Sequence, residues 1–176
     1  MSKNLPSREQ ALQLLYDNKC SPKVIKHCEA VAKLAVETAE KCKEKGLSVD
    51  VDLVEIGALL HDIGRSKTHS VHHAVIGAEI LAKAGLPEPL ISIIKRHVGG
   101  GITATEAEWL GWPKGNYTPT TLEEKIVSYA DKLIEGAERA PIEIAIDQLV
   151  RKHGQDAADR VLKIHKALTE IIGEIP

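Results

Sequence analysis

The chain has 176 residues, 43% apolar and 27% charged, with a formal net charge of −2, so no global electrostatic drive towards nucleic acid or a membrane surface exists. No stretch approaches the roughly eighteen apolar residues of a membrane span, and Met1-Ser2-Lys3-Asn4-Leu5-Pro6 has no apolar leader run. The three cysteines, Cys20, Cys28 and Cys42, lack C-x-x-C spacing and read as core thiols of a cytoplasmic protein.

Helical patterns then follow one another along the chain. Ser7-Arg8-Glu9-Gln10 is a capping-box start for a short helix to about Asn18. Ser21-Pro22 places an N-cap before a proline, and the next helix runs to Lys45 and stops at Gly46, with Val24, Val31, Leu34, Ala35 and Thr38 on one face. Asp52-Leu53-Val54-Glu55 repeats the capping-box pattern and opens an apolar helix closed by His61-Asp62. Ser70 is placed to cap a helix ending at Ala84-Gly85, and Pro87-Glu88-Pro89 opens another, through His97, stopped by Gly99-Gly100-Gly101. Residues 99–119 are irregular. Thr120 and Thr121 offer overlapping caps for a helix through Val127, Ala130, Asp131 and Ile134. Amphipathic helices are expected from about Ile142 to His153 and from about Asp156 to Ile172, and no strand run shows clean alternation. The expectation is one all-α domain over residues 1–176, with a core at about 21–140. Helices in 141–172 would pack on it or form the face of a homodimer.

Six polar side chains from five of these helices fall on faces that should be buried: His27, His61, Asp62, His73, His97 and Asp131. An unpaired buried carboxylate costs several kcal/mol, on the order of the whole stability of a domain, so such groups are normally paired or bound to metal. Imidazole and carboxylate together suit Fe, Mn, Co or Ni, with Mg or Zn as further options, and no cysteine joins the set. One ion is served by His27, His61, Asp62 and Asp131. A second needs His73, His97 and a carboxylate shared between the ions, for which Asp62 is the candidate. Two ions about 3.5–4 Å apart activate a hydroxide and clamp a phosphoester for in-line displacement. The competing reading is a set of separately satisfied core histidines, and in a one-metal enzyme His73 and His97 would contact phosphate instead. His72 points about 100° away from His73 on an ideal helix; His69, His153 and His165 are expected at the surface.

His27, His61-Asp62 and Asp131 match the H…HD…D signature, so the chain resembles the HD-domain metal-dependent phosphohydrolases over about Ser21 to Ala140. His61-Asp62-Ile63-Gly64-Arg65 is similar to the HDIG subgroup motif. His73-Ala74-Val75-Ile76-Gly77-Ala78-Glu79-Ile80-Leu81, Ile94-Lys95-Arg96-His97 and the segment Leu122 to Asp131 resemble the two-metal type. That type includes bacterial symmetrical diadenosine tetraphosphate hydrolases and the HD domain of ribonuclease Y. The resemblance implies an HD-like helical bundle around a central metal site and hydrolysis of a phosphomonoester or phosphodiester. It implies the two ligand sets just given, with Asp62 and Arg65 catalytic and Arg65, standing where lysine is usual, gripping a phosphate. The Glu-x-x-Gly-Asp segment of the 5′-deoxynucleotidases and the Gly-Tyr-Pro extension of cyclic-di-GMP phosphodiesterases are both missing.

The expected substrate is a small phosphorylated molecule, a nucleotide by preference, cleaved by metal-activated hydroxide. The alternatives are a phosphodiesterase on RNA ends or cyclic nucleotides, and a non-catalytic nucleotide-sensing module. Long nucleic acid and membranes are disfavoured as partners. Arg65, Lys67, Lys95, Arg96 and Lys132 form either a basic mouth, with Arg65 and Lys132 on substrate, or solvated helix ends. Trp109, Trp112 and Tyr117 either make a flap, with Trp112 on a nucleobase, or pin a long loop to the bundle.

Overall fold

Helix starts in this chain are set by side chains that accept the free N–H groups of a first turn. In the computed structural model, which describes residues 4–176, Ser7 and Gln10 form the expected capping box of α1 (Arg8–Asp17). Ser21 caps α2 (Pro22–Glu44), a 23-residue helix stopped before Gly46. The next helix, α3 (Val51–Leu60), begins two residues earlier than a cap at Asp52 would start it. Asp50 is its cap, accepting from Leu53 N–H at 3.1 Å. Glu55, the expected reciprocal partner, is drawn away by Arg8 at 2.6 Å, while Glu123 takes the Asp50 N–H at 2.9 Å.

A 3₁₀ turn (Ile63–Ser66) leads to α4 (His73–Lys83). Ser70 does not cap α4 in the expected way: its hydroxyl accepts from His72 N–H, outside the helix, and its carbonyl accepts from the His73 ring. Next come α5 (Glu88–Arg96) and a glycine turn (Val98–Gly100). The stretch expected to be irregular contains α6 (Ala104–Trp109), started by a Thr103–Glu106 capping box. Then follows α7 (Leu122–Lys132), whose cap is Thr121 paired with Glu124. Ile134, expected on that helix, instead begins a small hairpin of β1 (Ile134–Glu135) and β2 (Glu138–Arg139), antiparallel with Ile134 opposite Arg139. Finally, α8 (Ile142–His153) and α9 (Gln155–Ile172) match the expected spans to within a residue. Among the described residues the fold is an all-α bundle carrying one hairpin of two-residue strands.

The central helix α2 packs along α3 and α7, burying Cys28, Val31, Ala35, Leu59, Leu60 and Val127 in one apolar core. With no phenylalanine, the core is filled mainly by branched aliphatics and alanine, which let helix axes approach closely. The tightest approach joins the turn after Asp62 to α4. A Cβ on Gly64 would lie 1.9 Å from the His73 carbonyl oxygen, and one on Gly77 3.0 Å from Ile94. Glycine at both positions therefore brings Asp62 against the helix that carries His73. Outside the resemblance, α9 packs on α7 and against the glycine turn, and α8 packs on α9, so the C-terminal pair covers the bundle. No helix among the described residues is long and apolar enough to cross a membrane.

Candidate metal centre

The six polar residues expected to converge do converge, and each comes from the end of an element or its inner face. His61 is the residue at which α3 runs out, Asp62 begins the 3₁₀ turn, His73 opens α4 and His97 ends α5. His27 faces inward from α2 and Asp131 from α7. His61, Asp62, His73 and His97 are buried; His27 and Asp131 are half-buried at the mouth of a cleft.

All four imidazoles are oriented alike. Nδ1–H of His61 donates to the Ala58 carbonyl at 2.6 Å, that of His73 to Ser70 at 2.7 Å and that of His97 to Ile94 at 2.7 Å. In each case the acceptor lies three residues earlier. His27 uses a distant carbonyl, Gly136 in the β1–β2 turn, at 2.7 Å. A backbone acceptor on Nδ1 fixes the proton there and leaves Nε2 as a free lone pair, the usual arrangement behind a metal-ligating histidine. All four Nε2 atoms point at the two carboxylates.

Asp62 divides them. Its Oδ2 faces His61 Nε2 (3.6 Å) and His27 Nε2 (3.9 Å), and its Oδ1 faces His73 Nε2 (3.1 Å) and His97 Nε2 (3.5 Å). Asp131 Oδ1 completes the first side, 2.9 Å from His27 Nε2 and 3.4 Å from His61 Nε2. Ligand atoms of His27, His61 and Asp131 lie within 4.8 Å of one another, as do those of His61, Asp62 and His97. Two further observations fit a cation. His61 Nε2 and Asp62 Oδ1 are buried without a hydrogen-bond partner, and leaving such groups unpaired costs about 1–3 kcal/mol or more each. His73 Nε2 and His97 Nε2 stand 3.0 Å apart with their Nδ1 protons committed elsewhere, a repulsive meeting of lone pairs unless a positive charge lies between them. The donor set can hold one or two divalent ions.

The electrostatics favour the ligand forms of the carboxylates. Burial pushes the Asp62 pKa up, but the surrounding imidazoles, His61 foremost, hold it well below the ordinary value. Asp131 is likewise held down against burial, by Lys132 and then by His27 and His61. Burial pulls His61 down, yet Asp62, with Cys28 and Asp131, holds it well above the usual range. Burial takes His97 down to about 4, Asp62 opposing and His61 and His73 adding to the fall. A neutral His97 is ready to ligate at pH 7.

His27, His73, His97 and Asp131 line a cleft of about 460 Å³, which Arg65, His69, Lys132, Lys152 and His153 also line. Arg65 Nε donates to Asp62 Oδ2 at 2.7 Å and one terminal nitrogen to the His69 carbonyl at 3.2 Å, so the guanidinium sits between the cluster and the opening. Lys132 Nζ lies 3.0 Å from Asp131 Oδ2. The other three expected members of the basic mouth do not line this cleft, and Lys67 is exposed outside it. Lys95 pairs with Glu88 at the surface, and Arg96 is committed to the buried Glu124 at 3.0 Å, tying α5 to α7. His69 and His153 are exposed as expected but sit on the cleft rim, whereas His165 is half-buried and bonded to the Tyr129 hydroxyl.

Trp112, expected on the substrate, is placed elsewhere. It is buried, its indole N–H donates to His72 Nδ1 at 2.9 Å, and it meets Tyr117 edge-on at 5.0 Å. With Ala74 and Ala107 these rings form a small second core that pins the loop to α4. The packing alternative accounts for Trp112 and Tyr117. Sequence reasoning missed Lys152 and His153, which reach the rim only because α8 folds back over the cleft. It also missed Gly136, whose role depends on a hairpin too short to show alternation.

A family model described as the HD domain matches residues 24–136. The chain is 45% identical over 166 residues to an uncharacterized protein of Methanocaldococcus jannaschii, covering 93% of this chain and 98% of that one. It is 41% identical over 172 residues to a tRNA (cytidine(56)-2′-O)-methyltransferase of Thermoplasma volcanium, covering 98% of this chain but 49% of the relative. Ribonuclease Y of Pseudothermotoga lettingae is 34% identical over 133 residues, 73% of this chain and 22% of the enzyme. The chain thus spans about half of the methyltransferase and about a fifth of the ribonuclease. Among solved structures, the HD domain of the L. monocytogenes phosphodiesterase PgpH in complex with cyclic-di-AMP superposes with a TM-score of 0.58 at 18% identity, covering 94% of this chain and 98% of that one. Ribonuclease Y therefore appears as expected, while the other named relatives are not diadenosine tetraphosphate hydrolases.

Proposed function

This chain belongs to the HD-domain family, and from that premise we propose that it is a metal-dependent phosphodiesterase acting on a nucleotide phosphodiester, an RNA end or a cyclic nucleotide. The observation that carries the proposal is the division of Asp62, one oxygen towards His27 and His61, the other towards His73 and His97. His27, His61, Asp62 and Asp131 would hold one divalent ion, and His73, His97 and the shared Asp62 a second. The nitrogen-rich donors suit Fe, Mn, Co or Ni better than Mg. Bound there, the ions supply Lewis acidity towards phosphoryl oxygens and acidify a water.

The remaining work falls to the chain's own side chains. Arg65 orients Asp62 through Nε and has further N–H donors at the opening, placed for a phosphate oxygen. Lys132 fixes Asp131 and, with Lys152, makes the rim attractive to an anion despite the net charge of −2. The diesterase reading is preferred to the monoesterase because ribonuclease Y is named for cleaving RNA and the superposed PgpH domain is named a phosphodiesterase.

The test is turnover of bis(4-nitrophenyl) phosphate, 4-nitrophenyl phosphate and a short RNA by protein loaded with Mn, Fe, Co, Ni or Mg. Diester cleavage should exceed monoester cleavage and vanish in a His61→Ala/Asp62→Ala double variant. Cleavage of the monoester alone, or activity that survives the double substitution, contradicts the proposal.

A further inference from the structure

A second pocket, of about 300 Å³, opens beside the metal cleft and shares Val71, Val98, Gly99, Leu149 and His153 with it. Its character is different: the walls are largely aliphatic, and Trp109 stands at its edge, 80% exposed. We infer that this pocket is a nucleobase subsite in which Trp109 stacks on the base of a nucleoside whose phosphate lies over the metal cluster. The inference rests on the phosphodiesterase reading and adds that the substrate carries a base next to the phosphate.

Three observations point to this occupant. First, exposure of Trp109 is not looseness. It ends α6, which is fixed at its start by the Thr103–Glu106 box and along its side by Arg160, whose guanidinium bonds both Glu106 oxygens at 2.9 and 3.0 Å. An exposed indole carried on a helix end fixed in this way can stack on a ring without the backbone having to be ordered on binding. Second, the residue after His97 is the shared wall Val98, so the pocket adjoins the second half of the cluster. Third, aliphatic walls with the Glu106–Arg160 pair at one side match a flat ring with apolar faces and a hydrogen-bonding edge. A wholly aliphatic guest would leave that ion pair facing hydrocarbon.

The experiment compares AMP with ribose 5-phosphate by calorimetry on the metal-loaded full chain, its Trp109→Ala variant and its Trp109→Phe variant. AMP should bind at least about 10-fold tighter than ribose 5-phosphate, from the stacking contribution of one base. Trp109→Ala should bring the two within about 2-fold at unchanged metal content, and Trp109→Phe should keep most of the difference. Equal binding of the two by the unmodified protein, binding of neither, or a preference that survives Trp109→Ala overturns the subsite. Turnover of bis(4-nitrophenyl) phosphate separates the two claims. Turnover without base preference removes the subsite alone; base preference without cleavage of any phosphodiester removes the phosphodiesterase reading and leaves the subsite standing.

Discussion

The polar and apolar ends of the cleft are built by different means. At the polar end, three of four histidines are set by a carbonyl three residues back in the chain. Each helix end therefore carries its ligand already oriented, and folding has only to bring the ends together. At the apolar end only the Thr103–Glu106 box at the start of α6 is local. Trp109 owes its position to Arg160, 51 residues on by number, and to the Trp112–Tyr117 cluster beneath the loop. The difference teaches that most of the cluster's imidazoles are oriented by short-range rules, and the apolar surroundings of the cleft mainly by long-range packing.

If that division holds, substitutions should sort by end. Asp62→Asn should lower diester hydrolysis by more than about 1,000-fold, since losing only an outer-shell partner of a metal site costs about 10–100-fold. Nucleoside binding at Trp109, by fluorescence, should change far less. A smaller loss of turnover would mean that Asp62 is not shared. Trp112→Ala should destabilise the chain by about 3 kcal/mol in denaturant titration, because a buried ring and its indole N–H bond are lost. Trp109→Ala, at an exposed site, should stay within about 0.5 kcal/mol; equal losses would erase the contrast between the two indoles.

The polar end also predicts a pH dependence. In metal-free protein the unfolded chain protonates His97 near 6.5, whereas the folded chain resists to about 4. Folding stability attributable to this residue is therefore complete above about 6.5 and is lost as pH falls towards 4, on the order of 3 kcal/mol in all. His61 works in the opposite sense: its raised pKa adds stability at low pH that is lost as pH rises through the folded value. The comparison of unmodified protein with His97→Gln isolates the first effect, and thermal midpoints at pH 7 and pH 4.5 should converge in the variant. Parallel curves would show that His97 is not held neutral. The smallest expected effect on turnover is that of Arg65→Lys, which keeps the charge but not the fork that spans Asp62 and the cleft. It should lower kcat/KM about 10-fold with metal content unchanged; an unaltered kcat/KM would place Arg65 outside the reaction.

Much of the polar end was legible from residues 21–140. Capping boxes at Ser7 and Thr121, the Ser21-Pro22 start and the glycine stops are local chemistry, and they placed His27, His73, His97 and Asp131 on inner faces. Adjacent His61-Asp62 stood out because charged groups rarely close an apolar helix. What escaped detection was decided by competition or by distance. Asp52 lost its cap role because Arg8 takes Glu55, and Ser70 because its hydroxyl accepts from His72 N–H, ahead of the helix. Thr103-Ala104-Thr105-Glu106 was a readable capping box, overlooked among glycines and aromatics. Gly136 and Lys152 acquire roles only through the hairpin and α8, and no periodicity in the sequence announces either. Trp112 and Trp109 are three residues apart with opposite burial, and only the packing of Ala74, Ala107 and Tyr117 around the former distinguishes them.

The central claim is that Asp62 is shared between two metal positions. Its most direct test is the metal-to-protein ratio by elemental analysis of anaerobically purified, Mn- or Fe-loaded protein. The account predicts a ratio near two, falling towards one in His97→Ala and in His27→Ala alike and below one in Asp62→Asn. A ratio that stays the same in His97→Ala, or an unmodified protein that holds no transition metal, contradicts it.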